Sequence, residues 1–336
     1  MKLFVLSVLF LFFMVAEALA QTPAELYRKR MMDSIKMVYL TEAAIRNPAL
    51  RQITVSTDLV SRTRVDTKLY GNKVLDGEMS QVRTTALINV PVKSWKKNSI
   101  STSFSLFNQY FDVNQITSPL PDSVKDPHGY RNKLTVGFTA SYVRVDSLFG
   151  RRVIYTSSIT ALTGDASSIQ KISFLGGVFF TLKQTRVTSI SAGVIVNIDP
   201  ASTIPVLPYF SYRHQFKSNV ELNISLPQMI TLRKPLSKNC WVSLGTAIAG
   251  SVAFDQTTRQ GIPGNINYSG IDLKTGGGVE CRFGKIFMIG LNAGMMTPVM
   301  SRFYERGKNS RDYFVSNKIN STPFLNVTVS VLPFLH

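Results

Sequence analysis

The sequence predicts an all-β chain, closed into an antiparallel transmembrane β-barrel of about 14 strands and preceded by a short helix. Three observations lead there: an apolar leader, a hydrophobic period of two from residue 52 to the end, and connections that alternate between short and long.

The leader comes first. Lys2 precedes an apolar run from Leu3 to Ala16, and Ala18-Leu19-Ala20 supplies small residues for cleavage before Gln21. This is the pattern of a secretory signal peptide over residues 1–20. A membrane anchor would need ~20 uninterrupted apolar residues, and Glu17 ends this run early. No Cys follows the cleavage site, which argues against a lipid-anchored protein.

Residues 21–50 read as a periplasmic helical segment. Thr22 can cap it, Pro23 takes the first helical position and Glu25 completes a capping box. Asn47-Pro48 should stop it just after Arg46. Such a helix would lie on the barrel rim or on the inner leaflet, or plug the lumen.

The remainder, residues 51–336, is expected to be the barrel. Apolar side chains alternate as Val82, Ala86, Ile88, Val90, Val92, then as Ile100, Phe104, Leu106, and again as Leu134, Val136, Phe138, Tyr142. The same alternation runs through Ile172–Leu182, Val242–Val252, Phe287–Met295 and Leu325–Val331, with Ser, Thr, Gly, Asn and Gln between. Segments of ~10 residues with one apolar and one polar face are the signature of a transmembrane barrel. A soluble sandwich shares the period, so the connections decide. Short ones fall at Lys93–Asn98, Ser147–Arg151, Lys183–Arg186, Lys217–Asn219, Leu236–Lys238 and Gly284, and long ones at Thr67–Glu78, Val113–Arg131, Asp255–Asn267 and Ser301–Asn317. Bacterial barrels keep short turns on the periplasmic side. The alternation holds throughout only if Val220–Arg233 is two short strands bent at Leu226-Pro227-Gln228, which gives about 14 strands. The alternative count is about 12.

Cys240 and Cys281 fall side by side on one face of a single hairpin in this register. They are either a cross-strand disulfide, suited to an oxidising compartment, or two thiols at the rim. Trp95 and Trp241 both lie at the short-turn end, although strict alternation turns Trp241 inward. The last strand, closing on Phe334, resembles the recognition signal read by the outer-membrane barrel assembly machinery.

Charged residues make up only 17% of the chain, yet its formal charge is +18. That balance favours anionic groups such as lipid headgroups, lipopolysaccharide or anionic solutes. Export argues against nucleic acid, and two cysteines cannot build a disulfide scaffold. Lys68-Leu69-Tyr70-Gly71-Asn72, Asn89-Val90-Pro91-Val92 and Asp146-Ser147-Leu148-Phe149-Gly150 resemble segments of an uncharacterised outer-membrane β-barrel family of Bacteroidota. The resemblance spans roughly residues 50–336; it implies fold and localisation, and no activity or functional residue.

Catalytic chemistry finds little to work with. His128, His214 and His336 lack metal-ligand spacing. Ser211 falls on the face opposite His214, so the two cannot form a nucleophile and base. Gly276-Gly277-Gly278 lies mid-strand without the helix and Lys-Ser/Thr of a phosphate loop. No catalytic, cofactor or metal residue is expected. The inward positions are Asp58, Arg83, Lys171, Arg213, Glu221, Arg233, Asp272, Lys274, Glu280 and Arg282. They either cross-link a closed interior or bias an open pore toward anions. Two functions follow: a passive channel or transport barrel for small, anionic or lipophilic solutes, or a structural barrel whose long loops bind partners. Neither reading fixes an oligomeric state.

Overall fold

The computed structural model describes residue 31 and residues 37–117, 128–165, 168–199, 202, 204–258 and 261–334. The leader and the Thr22 cap lie outside these residues. The chain divides into two units, Met1–Arg51 with Leu332–His336, and Gln52–Val331.

In the first unit residues 37–46 are helical. The helix stops where Asn47-Pro48 predicts. Pro48 lacks an amide hydrogen and disfavours a helical residue before it. It opens a 3-10 turn, Pro48–Leu50, capped by Asn47, whose side chain accepts from the Ala49 amide at 3.1 Å. Arg51 Nε donates to the Ala44 carbonyl at 3.3 Å and ties the turn back to the helix.

The second unit is one antiparallel sheet rolled shut. Its first strands are tall: β1 (Ile53–Leu69), β2 (Asn72–Trp95), β3 (Asn98–Thr117) and β4 (His128–Leu148). The next are shorter: β5 (Arg151–Thr163), β6 (Lys171–Gln184), β7 (Thr188–Ile198), β8 (Val206–Gln215), β9 (Glu221–Leu226) and β10 (Met229–Pro235). The wall rises again in β11 (Cys240–Gln256), β12 (Asn265–Phe283) and β13 (Phe287–Glu305). Two last segments, β14 (Tyr313–Ile319) and β15 (Thr322–Val331), each pair with β13 on one side and β1 on the other. They are halves of one stave interrupted at Asn320-Ser321. The 15 segments therefore make a closed barrel of 14 staves. The bend expected at Leu226-Pro227-Gln228 is a hairpin turn between β9 and β10, with a cis Leu226-Pro227 bond.

Alternation sets the two faces. Val92, Phe104, Ile159, Ile172 and Leu244 are more than half exposed, all on the outer face. In water such a surface would aggregate; in hydrocarbon it is the solvated side. A bulge between Val60 and Thr63 shifts the parity of β1, so that Arg62 and Arg64 continue the outer face above Leu59.

The segment Thr67–Glu78, expected as a long loop, is instead a tight hairpin. β1 and β2 stay paired up to a two-residue turn, Tyr70-Gly71, with φ of 47° and 84°. Both left-handed values suit the twist of a two-residue hairpin. The other long connections also shrink: strands reach Gln256, Asn265, Glu305 and Tyr313. Beyond the apolar band both faces are polar, so the strands continue without the alternation that marked them below. Ion pairs brace this outer rim: Arg62–Asp112 at 2.9 Å, Arg64–Asp76 at 2.5 Å, and Lys73 with Asp66 and Asp76, each at 2.9 Å. The hydrogen bond from Arg64, then that from Lys73, holds the Asp76 carboxyl well below the usual carboxylate range.

Candidate functional site

The site is the barrel interior. In β12 the even residues Asp272, Lys274, Glu280 and Arg282 face inward, opposite the odd inward residues of β11 to which they pair. The same register turns Asp58, Arg83, Lys171, Arg213, Glu221 and Arg233 to the inner face.

Eight of these ten side chains pair with one another. Lys274 Nζ lies 2.5 Å from Asp58 Oδ2, and Arg83 Nη1 bonds Asp272 Oδ2. Arg213 stands 3.6 Å from Glu221, and Arg233 3.5 Å from Glu280. The remaining two find partners that alternation does not reveal. Lys171 meets Asp199 at 2.8 Å, just past the end of β7, and Arg282 donates to Asn239 Oδ1 at 3.0 Å, in the β10–β11 turn. Trp241 turns inward as its parity requires, with the Arg233 guanidinium 4.7 Å from its ring centre. This cation–π contact, next to Glu280, accounts for an aromatic on the polar face.

Two pairs cross the interior. Arg83 stands on β2 and Asp272 on β12, separated along the wall by β1, the β14–β15 stave and β13. Their side chains are only 5% and 3% exposed. Arg83 Nε also donates to Gln81 Oε1 at 2.9 Å, and Met296, fully buried, lies against the guanidinium. Val60, Met296 and Phe324 form an apolar cluster in this layer. Lys274 sits 5.6 Å from the centre of the Phe324 ring while bonded to Asp58. Asn326 Nδ2 donates to Asp58 Oδ1 at 2.7 Å and Ser56 Oγ at 2.8 Å, and its carbonyl accepts from Asn292 at 3.2 Å. Further out, Thr67 donates to Asn317, which donates to Ser301 Oγ at 3.0 Å, beside the Tyr268 hydroxyl. A buried charge is tolerable only when paired and hydrogen-bonded, and these charges are both. Side chains from β1, β2, β12 and the β14–β15 stave are thus cross-linked through the interior at this level.

The wall itself has a break in its ladder. β5 pairs β4 only from Val136 downward, and β10 pairs β11 only as far as Ala247. Above these levels residues 131–135 of β4 and 249–256 of β11 have no backbone partner on their facing edges, among the described residues. Side chains join them instead. Gln109 Nε2 and Thr135 Oγ1 donate to the Val252 carbonyl at 3.3 and 3.1 Å. Lys133 Nζ pairs with Asp255 at 2.6 Å. Gly164 closes the outside of this seam; a Cβ there would lie 3.1 Å from Phe254 Cβ.

Of the two alternatives for the cysteines, the structure has the disulfide: Cys240 and Cys281 face each other in register, and their sulfurs are bonded. His214 and Ser211 occupy opposite faces; the His214 ring lies 2.8 Å from Thr188 Oγ1 and packs edge-on to Phe216. No group of metal-ligating side chains occurs among the described residues. Gly276 faces Gly294 across β12 and β13, and a Cβ on either would strike the opposite backbone. Close strand approach accounts for Gly276, and the Asn292 side chain occupies the space a Cβ on Gly278 would need.

No family model and no curated protein matches the chain. Several solved structures resemble the chain at low identity. An outer-membrane channel from Pseudomonas putida F1 is 10% identical, with a TM-score of 0.36 over 84% of this chain and 96% of that one. The translocator domain of the autotransporter NalP from Neisseria meningitidis is 11% identical, with a TM-score of 0.30 over 92% and 97%. The Pseudomonas putida toluene transporter TodX is 12% identical, with a TM-score of 0.31 over 86% and 92%. At such identities and scores these likenesses carry nothing about function.

Proposed function

We propose that the chain is an exported, non-catalytic outer-membrane barrel of the Bacteroidota kind, closed at rest, that passes small solutes by parting the seam between β4 and β11. Its environment would be outer-membrane lipid with lipopolysaccharide, reached through the barrel assembly machinery. The leader supports export, and the apolar outer band supports a membrane position. The carrying observation is the seam, where Thr135, Gln109 and Lys133 replace a backbone ladder. Breaking a few side-chain bonds costs far less than breaking a ladder of backbone bonds, each worth about 1 kcal/mol net. The paired inner face offers little uncompensated positive field, which favours uncharged or lipophilic solutes over anions.

A structural barrel without passage is the second reading, favoured by the buried Arg83–Asp272 crossing. Liposome swelling in arabinose separates the two. The double variant Lys133→Gln, Thr135→Val loosens the seam and leaves the ladder intact; it should admit the sugar several-fold faster than the parent. Equal and negligible swelling for both proteins would favour the structural barrel.

A further inference from the structure

The two rims of the barrel carry their charges differently. At the long-loop rim acids and bases are interleaved, as in Arg62–Asp112, Lys133–Asp255 and Lys308–Glu305. At the other rim each of the six turns carries or adjoins an exposed cation. In order around the barrel these are Lys96, Arg152, Arg186, Lys217, Lys238 and Lys285. The acids of the barrel at that end are few. Asp146 is shared by Lys97 and Arg144 at 2.6 and 2.7 Å, while Glu221 and Glu280 face inward to their arginines. The outward field of this rim is therefore strongly positive.

Apolar side chains sit directly above the collar. Val92, Trp95, Leu182, Phe216, Phe283 and Phe287 are all exposed at the same strand ends. A ligand matching both layers has an anionic headgroup and hydrocarbon tails. We propose that the short-turn rim is a lipid collar that selects anionic phospholipids from the leaflet it faces, with phosphate on the turn cations and acyl chains against the aromatic belt. Zwitterionic lipids fit less well because their own ammonium groups compete with the lysines. This inference rests on the membrane reading above and adds the headgroup class and the side.

The protein supplies a reporter. It has two tryptophans, Trp95 in the collar and Trp241 inside the barrel. The full barrel carrying Trp241→Phe, reconstituted in phosphatidylcholine, leaves Trp95 as the only indole. Brominated-acyl phosphatidylglycerol at low mole fraction should quench Trp95 more than equal brominated phosphatidylcholine. The relative association constant should be about fivefold or more, the equivalent of roughly 1 kcal/mol for one basic residue near an anionic surface. The preference should vanish in Lys93→Gln, Lys96→Gln, Lys97→Gln and shrink in 1 M salt. Equal quenching by the two lipids overturns the collar. No quenching by either overturns the membrane position itself. If Trp241→Phe fails to fold, spin-labelled lipids on the unmodified barrel give the same comparison: a larger immobilised fraction for phosphatidylglycerol supports the collar, and equal fractions refute it.

Discussion

Arg83→Ala should destabilise the folded barrel by about 3–5 kcal/mol, the range for removing one partner of a buried ion pair. Asp272, 2% exposed in the parent, would keep its charge without the compensating guanidinium, in a layer that holds Met296, Val60 and Phe324. The paired replacement Arg83→Met, Asp272→Leu should recover most of the loss, because it removes both charges and keeps the volume. Urea titration of the folded barrel in micelles, read by loss of heat-modifiable migration, measures both. A single variant as stable as the parent would mean that water reaches Asp272, and that the outer lumen is open.

Leu244→Lys should cost about 2–4 kcal/mol when the barrel folds into a bilayer, the range for Lys near the midplane of a lipid-facing strand. Leu244 is 62% exposed on the outer face, between Leu232 of β10 and Gly277 of β12. On a water-facing surface the same exchange would change stability by no more than about 0.5 kcal/mol. The size of the effect therefore reports the solvent. Refolding into vesicles at graded urea gives the number, and a neutral result would place that face in water.

Most of the barrel was legible because lipid imposes a strict period. Wherever one face meets hydrocarbon, as along Val82–Val92 or Phe287–Met295, alternation gives both the strand and the direction of every side chain. That is why the inward residues and the Cys240–Cys281 register are legible in the sequence. Where the strands leave the band, the constraint lapses. Thr67, Lys73 and Asp76 then read as loop, although β1 and β2 stay paired up to Tyr70-Gly71. The break at Asn320-Ser321 hid the start of the last stave for the same reason.

The site was half legible. Formal charges on the inner face stood out, but which of them meet depends on the curvature of the wall. Asp58 and Lys274 are far apart in sequence and on strands that do not pair. Asp199 and Asn239 lie in connections, outside any period. The seam was invisible, since Gln109, Thr135 and the Val252 carbonyl are uncharged and acquire meaning only where the neighbouring strands fall short. A signal was nonetheless present in the brevity of β9 and β10, forced by Pro227.

The measurement that bears most directly on a barrel closed at rest is single-channel recording of the purified protein in a planar bilayer. With insertion verified independently, the parent protein should be silent at low voltage and Lys133→Gln, Thr135→Val should show discrete conductance. Steady, large conductance steps from the parent would contradict closure at rest, because Arg83–Asp272 and the layers around it could not then fill the lumen.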